Sequence, residues 1–142
     1  MSEEDVDNIM RHPRTMIASD GGIFMPTEDV PHPRYYGTFA RVLGLYVHER
    51  GVLDFPTAIM KMTRMPADRI GLSDRGRIEV GAVADIAVLD PDKVADQATF
   101  DNPHQFSVGF NHVFVNGTVV LLNGEMTGDR PGRVLRSANA AD

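Results

Sequence analysis

The 142-residue sequence predicts an α/β fold, in which a strand and helices of the kind that end a TIM (β/α)₈ barrel precede a small antiparallel β module. The apolar run 16–18 leads to Asp20 and two glycines, as when a barrel strand presents a carboxylate in the loop at its C-terminal end. After Gly71, helical periodicity stops and short apolar runs separated by glycine turns replace it. A complete barrel needs about 250 residues. We therefore expect only the last part of one here.

The N-terminal region begins with a helix predicted over residues 2–11. Ser2 and Asp5 have the spacing of a capping box, and an apolar face follows at helical intervals. Residues 15–19 are then predicted to form a short buried strand. Residues 20–33 are rich in glycine, proline, aspartate and histidine, which predicts a loop.

Two further helices are predicted before the β module. An apolar stripe at helical spacing predicts a helix over residues 38–50, and Gly51 ends it. Another begins after Asp54, a favourable capping residue, and breaks at Met65-Pro66. A last helical turn ends at Gly71.

The β module is predicted from turn signals and short apolar runs. Asn116-Gly117 lies between two such runs and is a strong hairpin signal, and Asn123-Gly124 supplies a second turn. The strands are predicted at residues 77–80, 84–89, 113–115 and 118–122, with a further edge strand at 130–136.

The change from helical periodicity to short apolar runs with glycine turns divides the chain near residue 72. We expect residues 1–72 to form the end of the barrel and residues 73–136 to form the β module. Residues 137–142 are small and polar, which predicts a flexible tail.

Composition excludes several classes of function. The formal net charge of −6 argues against non-specific nucleic-acid binding, which depends on basic patches. Cysteine is absent, so disulfides and thiolate metal sites are excluded. No apolar run approaches the roughly 18 residues of a membrane span. The acidic start is unlike a signal peptide, and a cytoplasmic location fits.

Together these segments resemble the C-terminal part of the N-acyl-D-amino-acid deacylases (D-aminoacylases) of the amidohydrolase superfamily. The resemblance is carried by Ile17-Ala-Ser-Asp-Gly21, His32-Pro-Arg34, Gly37-Thr-Phe-Ala-Arg-Val-Leu-Gly44, Pro66-Ala-Asp-Arg-Ile-Gly71 and the segment 74–90. The glycine and Ala-Asp-Ile spacing within 74–90 is similar across the superfamily and marks a small β-sandwich beside the barrel. The Ser-Asp-Gly loop, with His-Pro-Arg and Gly-Thr-Phe downstream, is more specific to the deacylases.

The resemblance implies a zinc-dependent hydrolase that cleaves the amide of an N-acyl-D-amino acid. Metal lowers the pKa of a bound water, and the resulting hydroxide attacks the amide carbonyl. Asp20 matches the family's catalytic base, which accepts the proton of the water and passes it to the leaving amine. Arg34 matches an arginine that helps to hold the substrate's α-carboxylate, which a guanidinium binds through two parallel hydrogen bonds. His32, in the same loop, is interpreted as a residue near the site rather than a metal ligand.

The sequence departs from the family in its metal ligands. The family's His-x-His pair, its cysteine, its glutamate and its further histidines have no match here. The five histidines are His12, His32, His48, His104 and His112. No two of them are separated by one residue, as in His-x-His, or by the i, i+4 spacing of a helical pair, and zinc needs about three protein ligands. We therefore expect an incomplete metal-dependent hydrolase fold that binds no metal and has no deacylase activity by itself.

Several alternatives remain open. The chain could be one subunit of a split amidohydrolase that a partner chain completes, or a non-enzymatic β module that self-associates through its open edges. Cyclic-amide hydrolases share the glycine-rich β signature. Asp20 could be a turn aspartate, and Arg34 a solvated surface residue.

Overall fold

The computed structural model describes residues 1–22 and 30–136. Part of the loop predicted over residues 20–33, and the whole tail predicted over 137–142, lie outside the described residues. Within the described part, no helix has both the length and the apolar character needed to cross a membrane.

Four α-helices and one π-helical segment make up the first half of the described chain. They are α1 (Glu3–Arg11), α2 (Arg34–Arg41), the π-helical segment Val42–Glu49, α3 (Phe55–Met62) and α4 (Arg64–Arg69). The capping box of α1 is confirmed. Ser2 Oγ accepts from the Asp5 N–H at 3.2 Å, and the Asp5 carboxylate accepts from the Ser2 N–H at 2.8 Å.

The second helix begins four residues earlier than predicted, at Arg34. Pro33 precedes it with helical dihedral angles (φ −51°, ψ −25°), as suits a ring that fixes φ near −65°. The apolar stripe starts only at Phe39, so periodicity alone placed the boundary too late. The end is as predicted, because Gly51 adopts φ +60° and leaves the helical conformation.

The third helix is capped as predicted, since the Asp54 carboxylate accepts from the Thr57 N–H at 2.8 Å. The predicted break at Met65-Pro66 is wrong: the chain leaves helical geometry at Thr63 (φ −125°, ψ −81°). Pro66 lies in the first turn of α4, where a missing N–H costs no helical hydrogen bond. Gly71 has φ +79° and follows the last turn as expected.

The second half contains one antiparallel sheet with strands in sequence order. They are β1 (Ile86–Leu89), β2 (Phe110–Val115), β3 (Thr118–Leu122) and β4 (Glu125–Met126). Both predicted turns are confirmed. Asn116 and Gly117 have φ of 48° and 78°, and Asn123 and Gly124 have 52° and 83°. Positive φ at both central residues is the requirement of the tight hairpin turn.

Three predicted strands are wrong. Residues 15–19, 77–80 and 130–136 belong to no strand. An extended segment becomes a strand only when another strand lies beside it. The segment 15–19 instead approaches α3, where the Ile17 N–H donates to the Lys61 carbonyl at 3.1 Å. Ile78 and Val80 are 90% and 107% exposed, so the apolar side chains of the segment 77–80 face solvent. The residues described here therefore show neither a barrel strand nor a second sheet of a sandwich.

The apolar core lies mainly among the helices. Its buried members are Ala40, Val42, Leu43, Tyr46, Val52, Leu53, Ala58 and Val94. Val94 comes from the connection between β1 and β2. Gly44 permits this approach, because a Cβ there would lie 2.7 Å from the Val94 carbonyl oxygen.

The segment 96–107 continues this connection and contacts α2 and the residues just before it. The contacts are Asp96 with Arg41 (3.1 Å), the Phe100 ring with His32, the His104 and Phe106 rings with Tyr36, and Ser107 Oγ with the Tyr36 carbonyl (2.9 Å). The Tyr36 hydroxyl also hydrogen-bonds His104 Nδ1 at 2.8 Å. The connection thus positions the start of α2, which carries Arg34.

Candidate functional site

The two predicted site residues, Asp20 and Arg34, lie together. Arg34 Nη2 is 3.0 Å from Asp20 Oδ2, although the residues are fourteen apart in sequence. The Asp20 side chain is 87% exposed and that of Arg34 is 41% exposed. The pair is therefore open to solvent and to a ligand.

Ser19 and Thr38 connect the Asp20 loop to the backbone of Arg34. Ser19 Oγ accepts from the Gly21 N–H at 2.9 Å and lies 3.4 Å from Thr38 Oγ1. The Thr38 hydroxyl donates to the Arg34 carbonyl at 2.9 Å. Gly21 allows the close approach, since a Cβ there would lie 3.1 Å from that carbonyl oxygen. The sequence analysis named the Ser-Asp-Gly and Gly-Thr-Phe segments as family motifs and did not predict this contact.

His32 hydrogen-bonds the backbone of Arg34. Its Nδ1 accepts from the Arg34 N–H at 3.1 Å, and its ring packs edge-on against Phe100 with 4.9 Å between ring centroids. This agrees with its interpretation as a residue near the site. A second His-Pro-Arg segment, at residues 12–14, makes the same bond, with His12 Nδ1 accepting from the Arg14 N–H. The repeat of this segment was a sequence signal for the contact.

Lys61 is a residue that the sequence reasoning missed. It is 1% exposed, and its Nζ donates to the carbonyls of His12 at 2.6 Å and Thr15 at 2.9 Å. Burial lowers the pKa of Lys61 below its ordinary value of 10.5. Since its own carbonyl also accepts from the Ile17 N–H, Lys61 fixes the segment that leads to Asp20.

Arg34 lies on the border of two clefts. One, of about 550 Å³, is also lined by His32, Arg41, Asp96 and Phe100. The other, of about 700 Å³, is mostly apolar and has Tyr35, Phe39, Phe106 and Met126 on its walls. Chemically, the site offers a solvated carboxylate that can accept a proton and a guanidinium that can bind an anion.

The described residues do not fit a zinc centre. Within residues 1–22 and 30–136, no three histidine, aspartate or glutamate side chains converge in a way that could hold a metal ion. Zinc takes three or four protein ligands. Asp20 forms an ion pair with Arg34, a cation that would repel a metal ion bound to the same carboxylate.

Comparison with known proteins identifies the family. Residues 4–121 match the family described as "Amidohydrolase family". The chain belongs to the amidohydrolase family.

Within this family, the chain is homologous to the N-acyl-D-amino-acid deacylases. It is 47% identical over 136 residues to an N-acyl-D-glutamate deacylase of Alcaligenes xylosoxydans xylosoxydans, covering 96% of this chain and 27% of the relative. It matches a crystal structure of D-aminoacylase with a TM-score of 0.88 and 44% identity, over 96% of this chain and 28% of that one. The resemblance stated from sequence is therefore confirmed.

A third match carries ligands. It is the N-acyl-D-glutamate deacylase of Bordetella bronchiseptica, complexed with zinc and a phosphonate inhibitor that mimics the tetrahedral intermediate of the reaction. The TM-score is 0.87 and the identity 45%, again over 96% of this chain and 28% of the other. These structures show the amidohydrolase fold for the matched region. The chain spans just over a quarter of the length of these relatives.

Proposed function

We propose that this chain supplies the Asp20 and Arg34 part of a zinc-dependent amidohydrolase that cleaves the amide of N-acyl-D-amino acids. The observation that carries the proposal is the exposed ion pair of these residues beside two clefts. The 47% identity to an N-acyl-D-glutamate deacylase supports the substrate class.

In this proposal, Asp20 is the general base and Arg34 binds the substrate. The Asp20 carboxylate accepts a proton from the attacking water and returns it to the leaving amine. The products are a carboxylate and a free D-amino acid. Arg34 holds the α-carboxylate of the substrate and so fixes the amide relative to Asp20.

The ion pair does not prevent this division of roles. Exposed ion pairs contribute only about 0–1 kcal/mol. A guanidinium has five N–H donors in a planar fork. The substrate's carboxylate can therefore take one edge of the Arg34 fork at little cost, whether or not the contact with Asp20 persists.

We also propose that the chain is inactive alone and is a fragment from the C-terminal end of a longer enzyme. The match to just over a quarter of the length of each relative supports this, as does the absence of a metal-binding cluster among residues 1–22 and 30–136. The zinc of the active enzyme is then held by residues other than those described here. A split amidohydrolase, completed by a partner chain, is the closest alternative.

A non-enzymatic, self-associating β module is the second candidate. Phe106 and Met126 are 80% and 74% exposed on the walls of the apolar cleft, and Phe39 and Val108 are partly exposed there. In the part of the chain that the structure describes, the outer strands β1 and β4 leave two sheet edges without a further strand. Open edges and exposed apolar side chains favour association between copies.

The first experiment measures zinc content and hydrolysis of N-acetyl-D-amino acids by the purified chain, with Asp20→Ala as the control. We expect no stoichiometric zinc and no turnover. Stoichiometric zinc, with turnover that disappears in Asp20→Ala, would contradict the fragment proposal. Sedimentation of the same sample over a range of concentrations detects self-association.

The second experiment supplies the missing part. The Alcaligenes N-acyl-D-glutamate deacylase is made without its 136 matched residues and is combined with this chain, either as a separate polypeptide or as a fused chimera. We expect zinc binding and activity in the chimera, with activity lost in Asp20→Asn and KM raised in Arg34→Met. A zinc-loaded, active chimera that tolerates both substitutions would refute the assigned roles. Activity with the separate chains would favour the split enzyme.

A further inference from the structure

The sequence contains two His-Pro-Arg segments, at residues 12–14 and 32–34. In each, the histidine Nδ1 accepts from the arginine N–H two residues later, at 3.2 Å in the first and 3.1 Å in the second. The proline between them has no N–H of its own and restricts the residue before it to extended conformations. The same three residues therefore build the same local turn twice.

The second segment differs because a helix begins at its arginine. Arg34 is the first residue of α2, and the preceding Pro33 makes no side-chain capping bond. The first N–H groups of a helix have no partner within the helix. His32 Nδ1 satisfies the first of them. His32 thus does for α2 what a capping serine or aspartate does elsewhere.

The ring of His32 is itself held in place. It packs against Phe100 of the segment 96–107, and that segment also contacts α2 through Tyr36 and Arg41. The orientation of the imidazole is therefore set by the β half of the chain. The first segment ends instead at Arg14, for which no ion pair is seen within residues 1–22 and 30–136.

We infer that His32 is a positioning residue for Arg34: its Nδ1 fixes the backbone from which the guanidinium reaches Asp20 and the substrate's carboxylate. This inference rests on the proposed function for the role of Arg34. The hydrogen bond itself does not depend on that role, so the two can be tested separately.

The bond requires a neutral imidazole. An accepting Nδ1 carries no proton, which places the proton of neutral His32 on Nε2. Protonation of Nδ1 removes the acceptor and puts a cation beside Arg34. The other charged or titratable groups on the same cleft are Arg41, Tyr46 and Asp96, and Asp96 is paired with Arg41.

The first test measures the Arg34 amide by NMR in the purified full chain. His32→Phe keeps a ring against Phe100 but removes the acceptor, whereas His32→Asn keeps an acceptor oxygen near the position of Nδ1. We expect hydrogen exchange at the Arg34 N–H to accelerate about threefold to tenfold in His32→Phe, which corresponds to one hydrogen bond. We expect exchange close to wild type in His32→Asn.

His12→Phe is the matched control, because the same turn is broken where no helix begins. It should change the Arg14 amide and leave the Arg34 amide unchanged. An Arg34 amide that His32→Phe does not affect, or that His12→Phe affects equally, would overturn the inference.

The second test follows kinetics in the active chimera described above. His32→Phe should raise KM for the N-acyl-D-amino acid about threefold to tenfold with kcat nearly unchanged, and His32→Asn should restore KM. A fall in kcat with unchanged KM would refute the positioning role in catalysis. If Arg34→Met also leaves KM unchanged, the proposed role of Arg34 is wrong, and the NMR experiment alone decides the role of His32.

Discussion

The segment that leads to Asp20 is fixed by a buried side chain, whereas the Asp20–Arg34 pair is exposed to solvent. Upstream, Lys61 is buried and makes two side-chain hydrogen bonds to carbonyls of the segment. Downstream, the Asp20 side chain is 87% exposed, and among residues 1–22 and 30–136 it forms an ion pair with Arg34. Loss of a buried hydrogen-bonding partner costs about 1–3 kcal/mol, whereas an exposed ion pair contributes about 0–1 kcal/mol. Stability and the proposed chemistry therefore reside in different residues, and substitutions should separate them.

The largest expected effect is on activity and comes from Asp20→Asn. In the active chimera, loss of the base should lower kcat about 10²- to 10⁴-fold. Because the Asp20 side chain is 87% exposed, the urea midpoint of the purified chain should not change. Hydrolysis rates of the chimera with and without Asp20→Asn test the effect on kcat. Urea unfolding of the purified chain with and without the same substitution tests the effect on stability. A clear loss of stability would place Asp20 among the structural residues and break the comparison.

The next effect is on stability and comes from Lys61→Ala. Truncation leaves a cavity and removes the donor to the carbonyls of His12 and Thr15, so we expect a loss of about 2–4 kcal/mol. The other lysine of the chain, Lys93, is exposed and pairs with Asp90, so Lys93→Ala should have no measurable effect. Urea unfolding of the three proteins measures the difference. Equal behaviour of the two variants would show that burial of Lys61 contributes nothing.

A second structural contact lies in the β half, where the partly exposed Asp85 side chain connects the segment before β1 to the first hairpin turn. It accepts from the Asn116 N–H at 2.7 Å and pairs with Arg75, whose guanidinium also donates to the Asn116 side chain at 2.9 Å. Asp85→Ala should cost about 0.5–1.5 kcal/mol, the contribution of a typical hydrogen bond.

Asp101→Ala, at an exposed loop aspartate, is the control for Asp85→Ala. Urea unfolding compares both variants with the wild type. If Asp85→Ala instead lowered activity in the chimera without destabilising it, the separation of stability from chemistry would fail in this half of the molecule.

Local signals predicted much of the fold. The Ser2 and Asp54 caps and both Asn-Gly turns are where the sequence placed them, because each depends on residues within four positions. The strands at 15–19, 77–80 and 130–136 were wrong, because a strand depends on a neighbour that no local pattern reveals. The π-helical register of Val42–Glu49 was likewise invisible in apolar spacing.

In the candidate site, too, local motifs predicted some residues, whereas others depend on contacts between distant parts of the chain. Asp20 and Arg34 were named from sequence motifs, and the structure brings them together, while their roles stay predictions. Lys61 was missed because a lysine between two methionines on a helix is normally solvated, whereas here it is buried and hydrogen-bonded to the segment 12–17. His32 could have been recognised earlier, since the repeated His-Pro-Arg segment implies a shared backbone contact.

The smallest expected effect is a pH dependence that distinguishes the two lysines. Burial lowers the pKa of Lys61 in the folded chain, whereas its value returns to about 10.5 on unfolding. Between those two values the unfolded chain binds more protons, so the contribution of Lys61 to stability rises with pH. The cost of burying its charge is fully present below the lowered pKa and is relieved as the pH passes through it.

Lys93 should behave in the opposite way. Its hydrogen bond to Asp90 raises its pKa, so its contribution is present below about 10.5 and is lost as the pH rises through the raised value. Urea unfolding of the wild type, Lys61→Met and Lys93→Met from pH 7 to pH 11 isolates each lysine as a difference from the wild type. The free energy of unfolding of the wild type, relative to that of Lys61→Met, should increase as the pH rises. A difference in free energy of unfolding that does not change with pH would mean that the Lys61 ammonium is solvated. The contrast between a buried Lys61 and the exposed Asp20–Arg34 pair would then be wrong.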